Sequence, residues 1–310
     1  MKRTVPPQDK AQRLDLFLIQ EFGKSRAYWK EAIQSKVKVN GRAPKKGMLL
    51  SGGEVLEYEE EAENKNPFSA DANISIKIIH EDPEFIVVEK PAGMDVHPLK
   101  AEEKGTLYQA IIARYPEIAK IGLSLREGGL LHRLDRDTSG LVLFARTQEA
   151  FDFLKNEFQK RRIEKEYLAL AESEYPFNKD QTHSIEVPIA HHPKNKKKMK
   201  VDFEGRSALT TYQALESYEG ATLFKVQIPT GVRHQIRVHL AYEGYPILGD
   251  TLYGKIDYPN EIPRLFLHAS RLSFRHPKAP HDKVEIQSDL PSDLQKTLQT
   301  LSATKFLTHR

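Results

Sequence analysis

Gly128-Gly129-Leu130-Leu131-His132-Arg133-Leu134-Asp135-Arg136-Asp137-Thr138-Ser139-Gly140, followed by Leu141-Val142-Leu143-Phe144-Ala145, is the stretch around which this chain is organised. Glycines open and close a charged segment, two leucines lead into it, and a strand-like apolar run leads out. A charged turn between two buried segments is a loop that a rigid scaffold can aim. Taken by itself, His-Arg-Leu-Asp in such a place reads as a solvated turn, because turns favour polar residues in any case. Its meaning depends on the rest of the chain.

On the downstream side, residues 149–161 carry Phe151, Leu154 and Phe158 at helical spacing, the pattern of an amphipathic helix. Glu166-Tyr167-Leu168-Ala169-Leu170 reads as a strand, and further β runs fall at 208–215, 222–228 and 284–286. Upstream, 76–79 and 85–88 are short β runs and 107–115 reads as a helix. The second β run leads into Lys90-Pro91-Ala92-Gly93-Met94-Asp95-Val96-His97-Pro98, where two prolines and a glycine force a non-helical path. Such a path makes a tight corner or one wall of a cleft, the corner being the plainer reading. Strands outnumber helices and the helices are interspersed irregularly, so the expected class is α+β with a mixed, largely antiparallel sheet.

The first 60 residues read as a separate small α/β unit. Leu14, Phe17, Leu18 and Phe22 share a helical face, and a second helix carries Arg26 and Lys30. Val37-Lys38-Val39, the turn signal Asn40-Gly41, and Val55-Leu56-Glu57-Tyr58 complete a hairpin pattern. This unit holds 12 Lys or Arg against 8 Asp or Glu, so the whole net charge of +4 resides in it. A polar, acidic run from Glu59 to Pro67 marks a boundary. The expected division is a domain over 1–60, a linker over 61–74 and a larger domain over 75–310.

With 39% hydrophobic and 29% charged residues the chain has the balance of a soluble globular protein. The absence of cysteine excludes disulfides, thiolate metal sites and thiol nucleophiles. No apolar run approaches the roughly 18 residues of a membrane span, so no membrane partner is expected and the cytoplasm is the expected location. A tract from His191 to Lys200 places five lysines within its last seven residues. Such a run is usually a solvated loop, but beside a basic first domain Lys196, Lys197 and Lys198 form a candidate phosphate-binding patch.

Two further pieces bear on chemistry. Asp135 has the make-up of a nucleophile, general base or electrostatic stabiliser, and Asp137 would share its face if the segment were extended, although two aspartates in a turn are usually solvated separately. Thr230-Gly231-Val232-Arg233-His234-Gln235-Ile236-Arg237-Val238-His239-Leu240-Ala241 reads as a turn entering a helix, with Arg233 and Arg237 four apart on one face and Ile236 and Leu240 on a neighbouring one. A surface helix whose arginines make salt bridges is the plainer reading. His234 and His239 are five apart and lack a zinc-protease glutamate, so no metal site is expected. There is no Walker loop, dinucleotide fingerprint or Gly-x-Ser-x-Gly elbow.

Taken in order, Lys90-Pro91-Ala92-Gly93 with Val96-His97-Pro98, the stretch 132–141, Lys165-Glu166-Tyr167-Leu168-Ala169, Thr230-Gly231 with 234–240, and Gly249-Asp250 with Leu252-Tyr253-Gly254 and Leu267-His268-Ala269 resemble the RluA-like family of RNA pseudouridine synthases. The resemblance covers nearly the whole chain, and residues 1–60 resemble the small alpha-L RNA-binding domain of a ribosomal small-subunit protein. One departure is visible: the family commonly has arginine directly after Thr-Gly, and here Val232 stands there with Arg233 next.

The resemblance implies a pseudouridine synthase fold and isomerisation of uridine in RNA, without cofactor or metal. It assigns Asp135 as the catalytic aspartate, Tyr167 as the residue that stacks on the target base, and Arg237 as the partner of Asp135. Arg133 would fill the gap left by the flipped uridine, and His132, Thr138 and Gly140 would lie at the substrate. Gly128, Gly129 and Gly140 would let backbone approach it closely. The expected partner is ribosomal RNA of the large subunit, with transfer RNA as the other candidate, and the expected state is a monomer. A non-catalytic RNA-binding or ribosome-assembly protein is the alternative, and a metal-dependent nuclease using Asp135, Asp137 and histidines is a distant third.

Overall fold

The computed structural model describes residues 2–7, 11–22, 26–45, 47–58, 68–100, 102–123, 127–173, 177–254 and 262–307. Its first part comprises β1 (Lys2–Thr4), β2 (Gln12–Arg13), α1 (Leu14–Phe22), α2 (Arg26–Ser35), β3 (Val37–Val39), β4 (Leu49–Leu50) and β5 (Val55–Tyr58). β1 and β3 flank β5, both antiparallel to it. The helical spacing of Leu14, Phe17 and Leu18 puts them on one face, where they pack with Trp29, Val37, Val39, Leu56 and Tyr58 in a core of their own. Asn40 and Gly41 take φ of 51° and 75°, the pair of positive angles a tight hairpin turn needs. The Asn40 Oδ1 accepts the Val55 N–H at 2.8 Å and locks that turn.

The linker expected over 61–74 ends earlier than its polarity indicates. Residues 59–67 lie outside the described residues, but Phe68 is buried in the large core, edge-on to His97 and Tyr108. Asp71 donates its N–H to the Gln109 carbonyl. One aromatic anchor in a polar stretch creates no period, so nothing in the pattern announced it.

The larger part comprises β6 (Lys77–Glu81), β7 (Phe85–Lys90), α3 (Leu107–Arg114), a 3-10 turn (Pro116–Lys120), β8 (Ser139–Ala145), α4 (Gln148–Gln159) and β9 (Glu164–Glu172). It continues with β10 (Thr182–Glu186), β11 (Ile189–His191), β12 (Met199–Val201), β13 (Leu209–Tyr218) and β14 (Ala221–Gln227). Then follow α5 (Gln235–Tyr242), β15 (Leu267–Arg275), β16 (Lys283–Gln287) and α6 (Ser292–Leu307). Nine strands form one sheet in the order β10-β13-β14-β9-β15-β8-β7-β6, with β16 on β15. Every pairing in it is antiparallel except β8 with β15, so the class is the expected α+β with a mixed, largely antiparallel sheet.

Residues 85–88 of β7 and 141–145 of β8 are unbroken apolar runs because both faces of the sheet are covered. Ile86, Val88, Val142 and Phe144 enter one core cluster with α3, while Phe85, Val87, Leu141 and Leu143 enter another with Leu154 of α4. Each such side chain contributes about 1.5 to 3 kcal/mol of burial. The two halves of the sheet meet at two parallel pairs, His268 with Ser139 and Ala269 with Gly140. The charged turn of residues 131–138 thus opens directly onto the seam of the sheet.

Candidate active site

The turn before β8 is fastened at several points. The Leu143 N–H donates to His132 Nε2 at 3.1 Å, Leu134 is buried in the core, and the Thr138 N–H closes onto the Asp135 carbonyl at 3.2 Å. From the corner after β7, Lys90 reaches under the turn. Its buried ammonium donates to the carbonyls of Pro91, Met94 and Arg136 at 2.7, 2.8 and 2.9 Å, and the Gly93 N–H also reaches Arg136 O. Burial pulls Lys90 down to about 7 against the opposing fields of Asp95, Asp137 and Asp135. Three carbonyl acceptors match the three donors that the charged form alone possesses, so the geometry favours the ammonium. The Lys90–Pro98 corner is therefore bonded to the backbone of the turn that carries Asp135.

Asp135 projects where α5 begins, with its side chain 21% exposed. Arg237 Nη1 lies 3.4 Å from Asp135 Oδ2, although the two are 102 residues apart in sequence. The same guanidinium grips Asp250 through Nε to Oδ2 at 2.7 Å and Nη2 to Oδ1 at 2.8 Å. A buried arginine needs a carboxylate partner, and the bidentate pair fixes the plane of the guanidinium so that its remaining edge faces Asp135. Burial works against the Arg237 charge, but Asp250 and Asp135 together hold its pKa above the ordinary value. Tyr167, on β9, is buried, and burial together with the Asp135 charge raises its phenol well above the usual range. The phenol stays protonated, and its hydroxyl has no hydrogen-bond partner among the described residues. Asp135, Tyr167 and Arg237 are thus brought together from three elements distant in sequence.

Several expectations need correction. Arg233 and Arg237 do not share a face: His234 adopts a left-handed φ of 56° at the start of α5, which breaks the helical progression between them. Arg237 points into the site, whereas Arg233 is exposed and reaches the carbonyls of Lys196 and Lys197 at 3.4 and 3.3 Å. Val232, at the departure from the family pattern, is buried with Ile189, Met199, Ala208 and Val238. His132, expected at the substrate, has its Nε2 spent on β8 and packs against Phe158, with burial and Lys165 pulling it down to about 3. The three glycines make room for protein rather than substrate. A Cβ at Gly128 would meet Tyr108, at Gly129 the Ala145 carbonyl, and at Gly140 the Ala269 backbone. Thr138 is 2% exposed and shapes the turn from within. Asp137 is exposed and not paired with Asp135.

Arg133 is exposed and makes no hydrogen bond or ion pair with a described residue. Lys196 and Lys197 are exposed in the turn between β11 and β12, and Lys198 lies 5.8 Å from the Tyr253 ring centroid. Lys30 is exposed on α2, while the side chain of Arg26 lies outside the described residues. The described residues contain no group of three His, Cys, Asp or Glu side chains that could hold a metal. Sequence reasoning gave no role to Lys90, Lys165, His234, Asp250 or Tyr253. Lys165 is buried, donates to the Thr230 carbonyl at 3.2 Å and is drawn down to about 8 by burial.

The sequence profile of the RNA pseudouridylate synthase family matches residues 84–242, which include Lys90, Asp135, Tyr167 and Arg237. The chain belongs to the RNA pseudouridine synthase family. It is therefore an isomerase. An uncharacterized RNA pseudouridine synthase of Chloroflexus aurantiacus is 39% identical over 96% of this chain and 92% of its own length. The ribosomal large subunit pseudouridine synthase D of Haemophilus influenzae is 35% identical over 99% of this chain and 96% of its own. The human RNA pseudouridylate synthase domain containing 4 shares the fold, with a TM-score of 0.57 and 22% identity over 73% of this chain and 93% of its own.

Proposed function

We propose that this enzyme isomerises uridine in large-subunit ribosomal RNA, with Asp135 as the catalytic carboxylate. The observation that carries the reading is the convergence of Arg237 and Tyr167 on Asp135, with Arg237 Nη1 3.4 Å from its Oδ2. Isomerisation breaks the bond between ribose C1′ and ring N1, turns the base, and joins C1′ to C5. One proton leaves C5 and one is gained at N1, so atoms and electrons balance with no cofactor. Asp135 is the group that meets the reacting nucleotide, Arg237 orients it, and Tyr167 is the platform for the base.

A uridine within a helix must first be flipped, at a cost of about a few kcal/mol. Stacking on an aromatic returns roughly 1 to 3 kcal/mol per base. Arg133, exposed and uncommitted, is the side chain we assign to the space the base vacates. The detached base must turn without escaping, which asks for a water-excluding pocket. Residues 1–60 serve as an accessory RNA-binding domain of the alpha-L kind through Arg26 and Lys30, and Lys196, Lys197 and Lys198 contact the phosphate backbone. The names of relatives such as the Haemophilus influenzae enzyme favour ribosomal over transfer RNA. Among the described residues no helix is long and apolar enough to cross a membrane.

The test is to map pseudouridine in RNA from cells with and without the protein. Large-subunit positions should be lost in its absence and restored by wild type but not by Asp135→Ala. Loss confined to transfer RNA would overturn the substrate assignment, and restoration by Asp135→Ala would overturn the catalytic one.

A further inference from the structure

We propose that His234 is a positioning residue for the Asp135 carboxylate, its proton fixed on Nε2 by Tyr253, which also ties the site to the lysine hairpin. This rests on the reading of Asp135 as catalytic. His234 takes a left-handed φ of 56°, a conformation that is strained for a non-glycine residue. It stands at the start of α5, yet its ring makes no capping bond there and is buried instead. Its Nδ1 lies 2.8 Å from the Tyr253 hydroxyl, and the Met199 N–H donates to that same hydroxyl at 2.7 Å.

These two bonds determine where the hydrogens sit. An amide N–H can only donate, so the Tyr253 oxygen accepts from Met199, and its own hydrogen finds its acceptor among the described residues at His234 Nδ1. Burial draws His234 down to about 4, so the ring is neutral and its one hydrogen is left for Nε2. That atom lies 3.9 Å from Asp135 Oδ1, while Arg237 holds Oδ2. The gap exceeds hydrogen-bond length and closes with a shift of about 1 Å, the tightening expected when substrate binds. Arg233 Nε, 3.4 Å from the same Nε2, would favour the opposite tautomer. With the proton on Nδ1 both bonds to the Tyr253 oxygen would persist, but its hydroxyl hydrogen would be left without an acceptor among the described residues.

Tyr253 joins two regions. Its ring lies 5.2 Å from the Arg237 guanidinium and 5.8 Å from the Lys198 ammonium, and Met199 begins β12, directly after the lysine turn. The Tyr253 side chain thus stands between the lysine hairpin and the His234 ring, bonded to the backbone of one and to the Nδ1 of the other.

The test uses the full-length enzyme and, as substrate, total RNA from cells lacking it. Tyr253→Phe keeps the ring and removes the hydroxyl; kcat should fall about tenfold with KM changed less than about twofold. His234→Gln, whose amide nitrogen can take the place of Nε2, should retain kcat within about threefold, and His234→Leu should lose it as Tyr253→Phe does. Independently of any variant, the 15N spectrum of histidine-labelled wild type near pH 7 should show the His234 proton on Nε2. A proton on Nδ1, or unchanged kcat in both Tyr253→Phe and His234→Leu while Asp135→Ala is inactive, overturns the proposal. Full activity in Asp135→Ala would instead remove the catalytic reading, and this proposal with it.

Discussion

Two charged turns at strand ends, 131–138 before β8 and 192–198 between β11 and β12, are built in opposite ways. Under the first lies Lys90, with all three of its donors committed to carbonyls, and against it lies Arg237, fixed by Asp250. The second carries its lysines outward and is held through backbone atoms, by Arg233 on two carbonyls and Tyr253 on the Met199 amide. Charge backed by buried counter-charge has a fixed direction and suits chemistry at one atom. Charge without it tracks a flexible polyanion. The difference lies in what is beneath each turn, which the composition of the turns does not record.

The comparison breaks most visibly if the buried support of the first turn is removed. Arg237→Met leaves the Asp250 carboxylate, with no exposed side-chain surface, without its bidentate partner. Denaturant unfolding should show a loss of about 3 to 5 kcal/mol, and activity should fall at least about 100-fold in the fraction that folds. Gly140→Ala comes next. Its Cβ would lie 2.3 Å from the Ala269 carbonyl oxygen at a φ of 119°, and the sum of clash and backbone strain should cost about 3 kcal/mol by the same measurement.

Neutralising the second turn should act on binding rather than on folding. Replacing Lys196, Lys197 and Lys198 together by glutamine should raise KM for RNA, leave kcat unchanged, and flatten the log-log salt dependence of binding by about 2, at about 0.7 per lost single-strand contact. An unchanged slope would take these residues out of the RNA footprint. The smallest effect at neutral pH, one that emerges only in acid, concerns His132. Its pKa is about 3 in the folded chain against an ordinary value of 6.5, so as pH falls below 6.5 the unfolded chain takes up the proton first. Stability is therefore lost between about pH 6.5 and 3, and His132→Gln, which keeps an acceptor for the Leu143 N–H, should flatten that limb in pH-dependent unfolding.

The sequence made β7 and β8 legible because burial on both faces leaves unbroken apolar runs. It left β15 unread: Leu267-His268-Ala269-Ser270-Arg271-Leu272 interrupts every period, since His268 is buried by bonding Ser139 at 2.9 Å rather than by being apolar. Asp135, Tyr167 and Arg237 were accessible through the resemblance, with their motifs in family order. Asp250 had no assigned role, because a carboxylate that completes a buried arginine comes from a turn with no period of its own. The error over Arg233 has a single cause, the left-handed His234, since helical spacing assumes an unbroken helix. The glycines were misassigned because a need for close approach does not say what is being approached, and here it is Tyr108, Ala145 and Ala269.

The most direct test of the central claim is single-turnover pseudouridine formation by purified wild type and Asp135→Asn on RNA from cells lacking the enzyme, with RNA affinity measured in parallel. The account predicts that Asp135→Asn binds RNA within about threefold of wild type and forms pseudouridine at least about 1,000-fold more slowly. A rate within about tenfold of wild type would contradict it.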